Sequence, residues 1–334
     1  MLWMQTTGKP RVFSGIQPSG GLHLGNYLGA IRNWVRDQDK YDNIFCIVDL
    51  HTITVPQDPA ALRENTLSLA AIYLASGIKN EQAMFVQSHI PAHPELAWIL
   101  ECFIPMGWLE RMTQFKEKSG RERERSSAGL FAYPALMAAD ILLYDTRYVP
   151  VGEDQRQHIE LTRDVAQRIN QRFGDVFVLP EPMIQAAGAR IMGLDDPEKK
   201  MSKSLAGDTP GHAIFLLDPP DVIRKKLARA QTDAQPAVHF PAGAGVRNLL
   251  EIYRTITDKE WPAVEQEFTG KPYSVLKSTV ADAIIEALAP IQQGYREIRS
   301  DDDALMRQLR RAADRLTPIA NSTLQRVQHA VGLR

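Results

Sequence analysis

The stretch Arg11-Val-Phe-Ser-Gly-Ile-Gln-Pro-Ser-Gly-Gly-Leu-His-Leu-Gly-Asn26 decides the fold. Residues 11 to 16 read as a strand, Gln17 to Gly21 as a turn, and from about Leu24 to Val35 the chain reads as a helix. Outward from this unit the alternation repeats. Asn43 to Val48 is an apolar run of strand length, Ala60 to Ser76 a helix stopped by Gly77, and Ala83 to Gln87 the next strand. Strand, helix, strand, helix, strand is the order of an open parallel sheet covered by helices, a Rossmann-type α/β unit. Helices are further expected at Pro94 to Cys102, Pro134 to Tyr144 and Gln155 to Phe173, with Tyr148 to Val151 as an intervening strand. The polar stretch Asp195 to Ser204 has neither periodicity and reads as a loop.

Beyond about residue 206 the β-branched runs stop. Val280, Ile284, Ile285, Leu288 and Ile291 fall on one helical face, as a bundle helix requires. The expected division is therefore an α/β catalytic domain over 1–205 and an α-helical domain over 206–334. The 334 residues carry a net charge of −1, so no global positive field draws in nucleic acid, and RNA contact must rest on local basic clusters. Two cysteines, Cys46 and Cys102, are too few for a Cys₄ zinc site or a disulfide framework, and both are expected in the core. The first ten residues lack the pattern of a signal peptide and no segment has a membrane span's apolar length, so a soluble, cytoplasmic protein is expected.

Several segments carry chemistry. Gly15 to Asn26 joins a strand to a helix, where α/β sheets hold phosphates against free N–H groups. Gly25 lets a ligand ring approach the backbone, and His23 and Asn26 can donate to phosphate oxygens, although the same residues suit a tight turn with an ordinary cap. Lys200-Met-Ser-Lys-Ser204 puts two lysines three apart on a polar loop able to fold over a triphosphate. In Tyr133-Pro-Ala-Leu-Met-Ala-Ala-Asp-Ile-Leu-Leu-Tyr144, residues Tyr133, Met137, Asp140 and Tyr144 share one face. An unpaired buried carboxylate costs on the order of several kcal/mol, so Asp140 needs a donor: a ligand N–H, or an Arg or backbone N–H in a structural core. His51, just past the second strand, either contacts a substrate or is a satisfied structural histidine. Glu153 and Asp154 open a helix after a strand, which suits ribose hydroxyls or an N-cap alike. Arg121 to Arg125 alternates sign and reads as a solvated connector. Arg307, Arg311 and Arg315 recur every four residues, a face for phosphates or for solvent.

His23-Leu24-Gly25-Asn26 resembles the HIGH signature of the class I aminoacyl-tRNA synthetases, with Asn departing from His at the last place, and Lys200 to Ser204 is similar to their KMSKS loop letter for letter. Thr113-Gln-Phe-Lys-Glu-Lys-Ser119 resembles a further family segment, and the helix around Asp140 resembles the pocket helix of the tryptophanyl members, whose matching Asp binds the indole nitrogen. The likeness runs from Phe13 to about Gly294. It implies a homodimer that uses ATP with Mg²⁺ to activate L-tryptophan and load it onto tRNA(Trp), with the helical domain reading the anticodon. The implied ATP set is Gln17, Pro18, Ser19, His23, Gly25, Asn26, Gly152, Glu153, Asp154, Ile191, Lys200, Met201, Ser202, Lys203 and Ser204. The implied tryptophan set is Phe13, His51, Tyr133, Met137, Asp140 and Gln155. Lys200, Lys203, Lys118 and Asn26 are the implied catalytic residues, with Lys118 at pyrophosphate; no resident metal is expected. A tyrosyl relative shares both signatures, but the Met137/Asp140 face argues against it. A regulatory paralogue would be expected to have lost Lys200, Lys203 or Gly25, and all are present.

Overall fold

The computed structural model describes residues 8–79, 84–112, 127–152, 155–184, 190–235 and 237–333. Arg11–Ile16 forms the expected strand, β1, and pairs in parallel with Asp42–Ile47, β2. Met84–Val86 (β3) adds beyond β2, while Tyr148–Val151 (β4) and Glu181–Ile184 (β5) add on the other side of β1. The order is β3-β2-β1-β4-β5. The chain winds outward from β1 to β3 and then crosses back to start again at β4. The crevice past the C-terminal ends of β1 and β4 is therefore the point where winding reverses, the place at which open α/β sheets hold ligands.

Both faces of the sheet are buried, which is why β2 reads as an unbroken apolar run. Phe45 and Ile47 enter one core with Leu24, Leu28 and Ile31 of the first helix, while Ile44, Cys46 and Val48 enter the other with Leu96 and Ala138. The first helix follows the expected span as Leu24–Asn26, a π turn over Tyr27–Ile31, and Arg32–Asp37. Helices Pro59–Ala75, Ala92–Glu101 and Arg156–Phe173 also lie close to expectation, and Gly77 takes the positive φ (+100°) expected after a helix end.

Other expectations need correction. β5 and the short helix Met106–Glu110 were not foreseen. The pocket helix is Ala128–Leu142: it starts six residues before Pro134, capped by Ser127 Oγ accepting from the Leu130 N–H (3.1 Å), and ends before Tyr144. Pro134 sits inside it rather than at its start. Helix Lys203–Asp208 begins within the expected loop, capped by Ser202. Cys46 is buried as expected, but Cys102 closes helix Ala92–Glu101 on its exposed side and is not a core residue.

After residue 209 the regular elements are helices: Pro220–Ala228, Ala244–Thr257, Trp261–Phe268, Tyr273–Ile298 and Asp302–Val331. Val280, Ile284, Leu288 and Ile291 are buried along one of them, with Ile285 partly buried at the edge. They share a core with Leu24 and Ile72 from the first part of the chain. The last helix sends Ala312, Leu316, Ala320 and Val327 into the other core beside Phe85 and Leu96, so the helical segment braces both faces of the sheet. No helix among the described residues is long and apolar enough to cross a membrane.

Candidate active site

A cavity of about 430 Å³ opens at the C-terminal ends of β1 and β4, a size within the ~300–1,000 Å³ of small-molecule sites. Phe13 and Gly15 line it from β1, Val149 to Val151 from β4, and Tyr133, Met137 and Asp140 from helix Ala128–Leu142. His51 enters from the short helix Asp49–Thr52, and Gln155 from the start of the next helix. The residues singled out for amino-acid recognition, Phe13, His51, Tyr133, Met137, Asp140 and Gln155, thus come from four separate segments and line one cavity. Gln17 and Gly152, from the nucleotide set, line it too.

Asp140 is buried (1% exposed), and its donors come from inside the protein. Oδ2 lies 2.8 Å from His51 Nε2. Oδ1 accepts from Gln87 Nε2 (2.7 Å) and lies 2.6 Å from His93 Nδ1. An ionised carboxylate only accepts, so each imidazole donates here, and the other ring nitrogen of His93, Nε2, lies 2.8 Å from the Tyr144 hydroxyl. Burial alone raises the Asp140 pKa, but the hydrogen bonds and charges of His51 and His93 outweigh it and hold the group below the usual carboxylate value. A carboxylate offers about four lone-pair directions. Three are taken, and the one left is on Oδ2, on a residue that lines the cavity.

Tyr144 does not line the cavity. It lies past the end of the pocket helix, fully buried, stacked on Phe13 (5.8 Å between centroids, 12° between planes). Tyr133 stands edge-on to His51 and its hydroxyl is 2.6 Å from His158 Nε2.

The two signature segments meet nearby. Lys203 Nζ donates to the Ser19 carbonyl (2.8 Å) and lies 3.3 Å from Ser19 Oγ, and its stem lies near Gly20 (φ +104°). Burial lowers the Lys203 pKa. His23 is buried, and burial, then the charges of Lys203, Lys200 and His212, push its pKa down to about 4, so the ring is neutral at pH 7. A Cβ on Gly25 would lie 3.1 Å from His23 Nδ1 and 3.7 Å from Ile191 Cβ. Gly25 therefore makes room for the His23 ring itself, and Ile191 is buried behind it. Asn26 Oδ1 accepts from the His23 N–H (3.1 Å), which leaves its NH₂ end for a donor role. The segment is sewn to residues 214–216 through Leu24 N to Ile214 O (2.8 Å) and Leu216 N to Leu22 O (2.9 Å).

In the second signature Lys200 is exposed, Met201 is buried and bonded to Ile191 O (3.0 Å), and Ser202 caps the following helix. Pro18 is buried, whereas Gln17, Ser19 and Gly152 are exposed. Lys116, Lys118, Arg121 to Arg125, Glu153 and Asp154 lie outside the described residues, as does the Ser204 side chain. Arg307, Arg311 and Arg315 are exposed, with Arg307 3.8 Å from Asp301.

Sequence reasoning missed Gln87 and His93, which hold Asp140, and Asn248 and His212, which bond to the backbone of Met192 and Leu194. His93 carried a signal: with Leu96 and Leu100 it stands at helical spacing on the buried face. Among the described residues no cluster of three His, Cys, Asp or Glu side chains is placed to hold a metal ion.

Comparisons with known proteins fit this geometry. The family described as tRNA synthetases class I (W and Y) matches residues 4–289. A tryptophan–tRNA ligase of Wolinella succinogenes is 54% identical over 97% of this chain and 99% of its own length. One from Caldanaerobacter subterraneus is 52% identical over 97% and 98%. Among solved structures, a Campylobacter jejuni tryptophanyl-tRNA synthetase complexed with ADP and tryptophan superposes with a TM-score of 0.85 at 33% identity, covering 97% of this chain and 100% of that one.

Proposed function

Since the chain belongs to the class I tRNA synthetases of the tryptophan and tyrosine group, we propose that it acts as a tryptophan–tRNA ligase, activating L-tryptophan with ATP and passing it to tRNA(Trp). The observation that carries the choice of amino acid is the buried Asp140 carboxylate, held as an acceptor at the cavity with one lone-pair direction left. The indole N–H is donor only and fits it. Phe13, Tyr133 and Met137 give the indole apolar and polarizable walls. Names of relatives at 50–54% identity agree.

In this reading the tryptophan carboxylate attacks the α-phosphate of ATP in line, forming tryptophanyl-adenylate and releasing pyrophosphate. A ribose hydroxyl at the tRNA 3′ end then takes the tryptophanyl group and AMP leaves. No covalent enzyme intermediate is needed, so positioning and electrostatics supply the rate. Lys203 and Lys200, with Lys118, offset phosphate charge. Asn26 donates to phosphate through its amide, while Gln17, Pro18, Ser19, Gly25, Gly152 and Ile191 shape the nucleotide's path and Glu153 and Asp154 accept its ribose hydroxyls. Gln155 and His51 orient the amino acid. Mg²⁺ would accompany the ATP phosphates as their counter-ion; among the described residues no cluster of three His, Cys, Asp or Glu side chains is placed to hold it.

Residues 206–334 are proposed to bind the anticodon region and the protein to work in the cytoplasm. A homodimer is supported by Trp98 (69% exposed) and Met106 (64%), large apolar side chains left open on consecutive helices. The exposed face of Arg307, Arg311 and Arg315 is assigned to tRNA phosphates. Arg307→Glu combined with Arg311→Glu is then expected to weaken tRNA charging while pyrophosphate exchange stays within about twofold, because the contacts lie outside the activation step. Charging equal to the parent at several salt concentrations would make that face solvent-exposed only. The reading as a whole is tested by tryptophan-dependent ATP–pyrophosphate exchange with tyrosine as control; exchange with tyrosine but not tryptophan overturns it.

A further inference from the structure

We infer that Asp195 and His212 form a bracket that holds the Lys200 to Ser204 segment where Lys203 meets Ser19, making both positioning residues of the activation step. The inference rests on the reading of that segment as the ATP-engaging loop. The loop hangs on a ledge, residues 191–194. Met201 N bonds to Ile191 O (3.0 Å) and Gly193 N to Lys199 O (2.8 Å). The ledge is fixed from behind by Asn248, whose Oδ1 accepts from Met192 N (2.9 Å) and whose Nδ2 donates to Met192 O (3.0 Å).

His212 closes the arrangement. Its ring is buried (1% exposed), its backbone carbonyl accepts from Leu194 N (3.0 Å), and its two nitrogens face the two ends of the loop. Nδ1 lies 2.5 Å from Asp195 Oδ1, and Nε2 lies 3.3 Å from the carbonyl oxygen of Lys200, the first residue of the signature. The ring has room only because residue 193 is glycine: a Cβ there would lie 2.2 Å from His212 Cε1 and 2.5 Å from Nδ1. Both partners only accept, so with a hydrogen on each ring nitrogen one imidazole ties the start of the loop to its lysine-bearing end, three residues from the Lys203 ammonium. Without the bracket, the loop must be ordered when ATP binds, and the ordering cost appears as weaker use of ATP.

The experiment compares Asp195→Asn, His212→Ala, Gly193→Ala and the Asp195→Asn/His212→Ala double variant in ATP–pyrophosphate exchange, varying ATP and tryptophan separately. Asp195 is partly exposed, so its variant opens no cavity. Gly193→Ala displaces the His212 ring without changing its chemistry, and its Cβ would also lie 3.0 Å from the Asp196 carbonyl oxygen. Each single variant is expected to raise KM for ATP about tenfold, the scale of one lost charge-assisted hydrogen bond. KM for tryptophan and tryptophan binding without ATP should stay at the parent's values. The double variant should be no worse than the poorer single one, since both break the same bracket. Parent-like KM for ATP in Asp195→Asn, or additive effects in the double variant, overturns the bracket. A purely structural His212 would lower melting temperature and active fraction without an ATP-specific change. Hydrogen exchange of the backbone amides over 198–203 separates this proposal from the assigned function. Faster exchange in Asp195→Asn supports the bracket even if the parent fails to use tryptophan, and unchanged exchange counts against it even if the parent does.

Discussion

Replacing Lys203 by Ala is expected to cut adenylate formation by roughly a hundredfold or more, the scale on which a transition-state charge contact is lost. The ammonium meets Ser19 in the turn after β1, the place at which open α/β sheets hold phosphates. It is partly withdrawn from water, and burial pulls its pKa down. An ammonium that has already lost part of its hydration interacts more strongly with developing phosphate charge than a fully solvated one does. Lys203 is not among the residues lining the amino-acid cavity, so tryptophan binding without ATP should barely change. Lys203→Arg keeps the charge but not the compact ammonium, and should fall between parent and Ala. Single-turnover adenylate formation and pyrophosphate exchange measure both, and near-parent exchange in Lys203→Ala removes the residue from the reaction.

The α/β half was legible because its strands are apolar runs of strand length and its helices carry periodic apolar faces. β2 illustrates why: with helices on both faces, Ile44, Phe45, Cys46 and Ile47 are all buried. β5 was not legible. Glu181-Pro-Met-Ile184 is four residues long and contains a proline, a combination a sheet tolerates at its edge and one that sends no periodic signal. Pro134 misled in the opposite way. Proline favours the first turn of a helix, so it marked a start, whereas Ser127 was the true cap and the helix absorbs the proline within it. At the site, the need of Asp140 for a donor followed from its apolar neighbours, but the donors did not. His51, Gln87 and His93 are 89, 53 and 47 residues away in the chain, and which of them reach the carboxylate depends on how β2 and β3 are registered and how helix Ala92–Glu101 packs on Ala128–Leu142. Periodicity reports which face is buried; it carries no information about which buried polar groups meet.

That network sharpens what removing Asp140 should do. Asp140→Ala leaves two imidazoles and an amide facing an empty space in the core, and loss of one partner from a buried charged network costs about 3–5 kcal/mol of stability. A large drop in the denaturation midpoint is therefore expected. The accompanying loss of tryptophan affinity, on the order of 1.5–3 kcal/mol for a hydrogen bond to a charged group, cannot by itself be ascribed to the indole, because a slackened His51 also lines the cavity. ATP affinity should stay nearly constant. The discriminating measurement uses a tryptophan analogue with sulfur in place of the ring N–H. The parent should bind it roughly ten- to a hundredfold more weakly than tryptophan, since the remaining lone pair of Asp140 Oδ2 then stays buried and unpaired. In folded Asp140→Ala that discrimination should largely vanish, and Asp140→Asn, which keeps the side chain's volume and one neutral acceptor oxygen, should fall between. If Asp140 only supported the pocket, every ligand would lose affinity alike and the preference for N–H over sulfur would persist. Strong non-additivity between the carboxylate and the indole N–H is what a direct bond requires. Equal discrimination in the parent and in a folded variant would show that Asp140 is a structural anchor for His51 and His93, and that the indole nitrogen is recognised elsewhere.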